Sequence, residues 1–107
     1  MIVSLGVDAH FRDQLANMQL YSRTYGMLAS RAKQLADKYA GGRLLYCLEG
    51  GYDLRALEES VAETICALTG EYEHKDDPFE HERPPNLPDE PDITGIIEQA
   101  KAIHFQS

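Results

Sequence analysis

The amino-acid sequence predicts an α/β chain ordered β-α-β-α with a further C-terminal helix, forming one part of a larger parallel sheet. Three observations carry this reading. Two short apolar runs, Ile2 to Val7 and Leu44 to Leu48, have the length of strands and are separated by a long helical stripe. Parallel strands joined through a helix make a right-handed crossover, a unit that sits inside doubly wound sheets. Two strands are too few to cover both sheet faces and the apolar sides of two helices, so further strands are expected alongside them.

The first run, Ile2-Val3-Ser4-Leu5-Gly6-Val7, is rich in β-branched residues and reads as a buried parallel strand. Asp8 to Leu20 mixes polar and apolar residues with no period and reads as a loop. Ser22 is the expected N-cap of the first helix. Its stripe is Tyr25, Leu28, Ala29, Ala32, Leu35, Ala36 and Tyr39, with Lys33 and Lys38 on the opposite side. Gly41-Gly42 ends it.

Arg43 to Glu49 is the second strand, followed by the turn Gly50-Gly51-Tyr52. Asp53 is the expected cap of the second helix, whose apolar positions are Leu54, Leu57, Val61, Ile65 and Leu68, and Gly70 stops it. Residues 71–91 contain all five prolines and eight acidic side chains against Lys75 and Arg83, and read as an irregular surface linker. Ile93, Ile96, Ile97, Ala100 and Ile103 then space a third amphipathic helix with Asp92 as its cap. The organisation expected is a β-α-β-α part over 1–70, an acidic proline-rich linker over 71–91 and a C-terminal helix over 92–107.

Composition narrows the function. With 107 residues, 43% hydrophobic and 26% charged, the chain is at most one small globular domain. A net charge of −8 argues against direct nucleic-acid binding, which needs basic patches. Most of that charge lies in residues 71–91, where a solvated loop is the simpler reading than a lure for basic peptide tails. No apolar stretch approaches bilayer length, and Ile2 to Val7 lacks the basic flank of a signal peptide. A cytoplasmic protein is expected, or a nuclear one in a eukaryote. Cys47 and Cys66 read as reduced packing residues, Cys47 because it falls within a buried strand.

The chemistry is sought where the strands end. In open α/β sheets the site lies beyond the carboxyl ends of the strands. Here those ends carry Gly6-Val7-Asp8-Ala9-His10 and Glu49-Gly50-Gly51-Tyr52. A carboxylate at one tip and a phenol at the next can converge on a ligand. Asp8 has the oxygen donors that zinc accepts, and the Tyr52 hydroxyl can donate a hydrogen bond to a developing oxyanion. A nucleotide-binding half-sheet is disfavoured, because no glycine-rich phosphate loop follows the first strand.

These residues resemble a known family. Val3-Ser4-Leu5-Gly6-Val7-Asp8-Ala9-His10, then Asp13, then the helix, then Leu48-Glu49-Gly50-Gly51-Tyr52-Asp53-Leu54 look like the C-terminal third of the histone deacetylase superfamily. The Glu-Gly-Gly-Tyr form is similar to the class II branch and to prokaryotic acetylpolyamine and acetoin-utilisation amidohydrolases. The resemblance implies an arginase/deacetylase-like parallel-sheet fold. It also implies zinc-dependent hydrolysis of acetyl-lysine or acetylpolyamine amides.

By that resemblance Asp8 matches a zinc-binding aspartate and Tyr52 the tyrosine that polarises the acetyl carbonyl. Gly50 and Gly51 match glycines of the substrate channel, and Leu15 an apolar residue of its wall. His10 is not an expected ligand, since the family's Asp-x-His pair lies upstream of the matched part. His10, His74, His81 and His104 do not match the family's general-base histidines either. The chain departs from the family in having Arg12-Asp13-Gln14 where Gly-Asp-Pro is usual. Holding one of three protein zinc ligands and no general base, the fragment alone is expected to be inactive. The competing expectation is a non-catalytic association module that forms a homo-oligomer or docks on the N-terminal part of the same fold.

Overall fold

The computed structural model describes residues 1–71, 77–79, 81–82 and 93–105. Its elements are β1 (Ile2–Leu5), α1 (Ser22–Tyr39), β2 (Leu45–Leu48), α2 (Leu54–Thr69) and α3 (Thr94–His104). The architecture is the α/β one expected, though each strand is shorter than the apolar run containing it. β1 and β2 pair in parallel, with Ile2 opposite Leu45, Val3 opposite Tyr46, Ser4 opposite Cys47 and Leu5 opposite Leu48. The ladder continues past both strands: Glu49 N–H donates to the Leu5 carbonyl at 2.9 Å and Val7 N–H to the Gly50 carbonyl at 2.7 Å.

Alternation along a strand puts Ile2, Ser4, Leu45 and Cys47 on one face. That face is bare: Ile2 is 73% and Leu45 56% exposed. The expectation of a buried strand is therefore corrected, and with it the reading of Cys47 as a packing residue, for Cys47 is exposed. The cause is the two-stranded sheet, whose helices cannot cover both of its sides.

The helices show the same effect. Ala29 and Ala36 of α1 and Ala56, Ser60, Thr64 and Ala67 of α2 are buried. Small side chains let two helix backbones approach closely. Among the larger members of each expected stripe, Tyr25 of α1 is buried while Leu28, Leu35 and Tyr39 are exposed, and on α2 Leu57, Val61 and Leu68 are half-buried while Leu54 and Ile65 are exposed. The buried positions of α1 include Tyr25, Ala29 and Ala36 of the expected stripe, whereas those of α2 lie beside its expected stripe rather than within it.

The caps are partly as expected. Asp53 Oδ1 accepts the Ala56 N–H at 2.8 Å, and Gly70 closes α2 at φ 81°. Ser22 does not cap α1. Tyr21 holds the N-cap position without a side-chain bond, and Asp77 Oδ2 accepts the Arg23 N–H at 2.8 Å instead. Ser22 is buried with its hydroxyl 3.1 Å from His10 Nε2.

The loop after β1 is more ordered than an aperiodic sequence suggests. Phe11 N–H donates to the Leu20 carbonyl and Leu20 N–H to the Ala9 carbonyl, closing it at its neck. Within residues 71–91 two described residues depart from the surface reading, Phe79 at 0% exposure and buried Asp77, while Glu71, Pro78 and His81 are exposed. Residues 72–76, His74 among them, 80 and 83–92, with Asp92, lie outside the described residues, and the N-cap position of α3 is held by Ile93 without a side-chain bond. α3 exists as expected but buries none of its residues. Among the described residues no helix is long and apolar enough to cross a membrane.

Candidate functional site

The extended parallel ladder brings the two strand tips side by side, because Val7 is bonded to Gly50. Asp8 follows Val7 directly, and its carboxylate lies in a slot between two glycines. A Cβ at Gly6 would stand 2.7 Å from Asp8 Oδ1, and one at Gly50 would stand 2.9 Å from Oδ2. Gly51 is required for a second reason. Its φ is 140°, and a Cβ there would meet the Val7 Cβ at 2.9 Å and Leu57 Cδ1 at 3.2 Å.

Tyr52 comes next and projects into the open, 67% exposed. Its backbone is tied down from the other loop, since its N–H donates to Asp13 Oδ2 at 2.8 Å. Asp13 Oδ1 accepts the Leu15 N–H at 2.9 Å. These backbone N–H groups, Leu15 first and then Tyr52, hold the Asp13 carboxyl below the usual carboxylate range.

Arg12 reinforces the same junction. Its Nε is 3.4 Å from Asp53 Oδ2, and its Nη1 pairs with Glu82. Arg55 Nη1 reaches the other oxygen of Glu82 at 3.7 Å. Both guanidinium groups lie over the Phe79 ring, 5.1 and 4.9 Å from its centroid. Beneath it sits His10, fully buried, with Phe79 edge-on at 5.2 Å and Phe11 stacked at 4.9 Å. Arg12 N–H donates to His10 Nδ1, so Nε2 carries the proton and faces Ser22. Burial lowers the His10 pKa, which suits this neutral tautomer.

Between the two loops opens a cleft of about 390 Å³ lined by Arg12, Asp13, Gln14, Leu15, Tyr52 and Asp53. Two of the residues singled out from sequence, Leu15 and Tyr52, meet in it. Leu15 is 70% exposed and forms one open wall. Asp8, Gly50 and Gly51 lie at the strand tips and are not among the lining residues. None of the described histidines lines the cleft, and His81 and His104 are exposed.

One buried hydroxyl faces this region from below. Tyr25 of α1 is buried, and its hydroxyl has no hydrogen-bond partner among the described residues. Burial, assisted by the negative charges of Asp8 and Asp13, pushes its pKa up to about 12.

Zinc takes three or four nitrogen, sulfur or oxygen ligands. Asp8 has the right chemistry for one. Among the described residues no group of three or more histidine, cysteine or acidic side chains could hold a metal. Among the described residues Asp8 thus has the donor chemistry for one metal ligand, and no complete metal site is formed.

Sequence reasoning missed Asp13 as the tie between the loops, the Arg12–Asp53 pair, and the anchor formed by Asp77 and Phe79. The one available signal was Phe79 itself, a lone large apolar side chain in an acidic, proline-rich stretch.

Comparison with known proteins identifies the family. Residues 1–68 match the model of the histone deacetylase domain. Histone deacetylase 14, chloroplastic, of Arabidopsis thaliana is 43% identical over 106 residues, covering 97% of this chain and 24% of that protein. A probable deacetylase of Archaeoglobus fulgidus is 38% identical over 69 residues, 64% of this chain and 19% of that protein. Polyamine deacetylase HDAC10 of Homo sapiens is 38% identical over 71 residues, 66% of this chain and 10% of that protein. The chain thus spans less than a quarter of each of these relatives. With its two strand-tip motifs inside the matched segment, the chain belongs to the histone deacetylase family.

Proposed function

We propose that this chain furnishes the C-terminal portion of a zinc-dependent deacetylase site that hydrolyses the amides of acetyl-lysine or acetylated polyamines. The observation that carries the proposal is the junction of the strand tips. The Val7–Gly50 bond sets Asp8 beside the turn that presents Tyr52. The relatives named as histone and polyamine deacetylases supply the two substrate classes.

In this reaction water cleaves the amide C–N bond, giving acetate and the free amine. Asp8 would give one carboxylate oxygen to the zinc ion, which when bound polarises the acetyl carbonyl and acidifies the attacking water. Tyr52 donates its hydroxyl proton in a hydrogen bond to the oxygen that becomes negative as the carbonyl carbon turns tetrahedral. Leu15 flanks the acyl group and excludes water from one side. A general base is needed to take the proton of the attacking water, and no described histidine of this chain is placed to do so. In this reading the base comes from residues outside this chain.

The 107-residue chain alone should therefore release no acetate from acetyl-lysine peptide or acetylspermidine, with or without added zinc. A chimera in which the chain replaces the aligned segment of the Arabidopsis relative should release it. Turnover by the chain alone, or a folded chimera that is inert, would overturn the proposal.

A second reading is favoured by one observation, the bare face at Ile2 and Leu45. Under it the chain is an association module that docks on the N-terminal part of the same fold or on a second copy. Sedimentation of the chain alone separates the readings: a stable homodimer at micromolar concentration favours the module, and a monomer counts against it.

A further inference from the structure

We infer that Asp13 is a positioning residue, a single buried carboxylate that sets the cleft wall and the phenol of Tyr52 in fixed relation to one another. The inference rests on the reading of Tyr52 as the oxyanion donor.

The Tyr52 side chain is largely exposed, so little packing holds it. The turn before it contains Gly50 and Gly51, the most permissive residues for backbone motion. Its placement must come from the backbone, and the restraint there is the 2.8 Å bond from Tyr52 N–H to Asp13 Oδ2 across 39 positions of sequence. The other oxygen is committed as well, to Leu15 N–H at 2.9 Å. Asp13 is only 5% exposed. A buried carboxylate left without partners is costly, so these N–H bonds and the carboxylate stabilise one another.

The result is one rigid unit. Leu15 on the first loop and Tyr52 on the second cannot shift independently while the carboxylate bridges them. The Arg12–Asp53 pair runs parallel to this tie and limits rotation about it. Catalytic donors are sensitive to such placement, since a displacement of about 1 Å can cost about a hundredfold in rate.

Amide hydrogen exchange on the full 107-residue chain tests the tie directly. In the unmodified chain the N–H groups of both Leu15 and Tyr52 should be protected. Asp13→Ala should speed exchange at both by about tenfold, while Ala67 in α2 keeps its rate. Asparagine has one acceptor oxygen, so Asp13→Asn should release one of the two and keep the other. An unprotected Tyr52 N–H in the unmodified chain, or equal acceleration throughout α2, overturns the inference.

The chimeric enzyme tests the consequence. Asp13→Asn should lower kcat by about tenfold or more with KM little changed, and the loss should vanish in a Tyr52→Phe background. Full kcat in Asp13→Asn beside an impaired Tyr52→Phe overturns the positioning role and leaves Tyr52's own role standing. An undiminished loss in the Tyr52→Phe background also overturns it. Wild-type turnover by Tyr52→Phe instead removes the oxyanion reading, and exchange alone then decides whether Asp13 holds the loops.

Discussion

The carboxylate of Asp77 accepts the backbone N–H of Arg23 at 2.8 Å, so α1 is capped by a residue 54 positions further along the chain. Its second oxygen accepts the Phe79 N–H at 2.9 Å, which turns the chain and drives that ring under Arg12 and Arg55. A short stretch beyond the matched 1–68 segment thus anchors the site loop from behind. Asp77→Ala should cost about 1–2 kcal/mol, as for loss of an N-cap. Phe79→Ala should cost about 3–5 kcal/mol, as for emptying a buried aromatic site. Urea denaturation checks both, and a neutral Phe79→Ala would show that the ring is not part of the folded core.

What could be read from sequence follows from which interactions are local. The order of elements, the Asp53 cap and the turn at Gly70 depend on neighbours a few residues apart, and those are visible in periodicity and glycine placement. The adjacency of the two strand tips was legible because a β-α-β crossover ends both strands at one edge of the sheet. The Asp77 cap of α1 and the Asp13 tie to Tyr52 span 54 and 39 positions, and nothing local announces them. Ser22 illustrates the cost: its type and position suit a cap, yet its hydroxyl meets buried His10. The burial expected of Cys47 and Ile2 is not met because a strand composition reports the finished sheet, whereas the described residues hold two strands of it.

The two glycines before Tyr52 should respond differently to alanine. At Gly51 the new methyl meets Val7 next to its backbone, and φ is 140°. Gly51→Ala should therefore cost about 3 kcal/mol of stability. At Gly50 the methyl meets the Asp8 carboxylate, the movable end of a side chain. Gly50→Ala should fold with a loss of about 1 kcal/mol but displace Asp8. In the chimeric enzyme it should weaken zinc binding by about tenfold or more, measured by competition with a chelator. Unchanged zinc affinity would show that Asp8 is not a ligand.

Tyr52→Phe removes one hydroxyl from an exposed side chain, so stability should change by less than about 0.5 kcal/mol. In the chimeric enzyme kcat should fall by about 10²–10³ with a much smaller change in KM, because the bond to the oxyanion is stronger in the transition state than in the ground state. A change confined to KM would place the hydroxyl in substrate binding rather than at the reacting carbonyl.

Tyr25 offers a test by alkaline titration. Burial, with the charges of Asp8 and Asp13 beside it, raises its pKa to about 12 from an ordinary 10.0. A pKa raised in the folded state leaves stability undiminished below pH 10, where the phenol is neutral in both states. Above 10 the unfolded chain releases the proton first, so stability falls as pH rises towards 12. Tyr25→Phe should remove part of that fall, leaving the slope from Tyr46, which burial also raises. At neutral pH the same variant should be neutral or slightly stabilising, because the buried hydroxyl has no partner among the described residues to lose. Thermal melts from pH 7 to 11 decide the matter. A clear destabilisation at pH 7 would mean that the hydroxyl is bonded after all, with Asp8 and Asp13 the carboxylates nearest at hand to accept it.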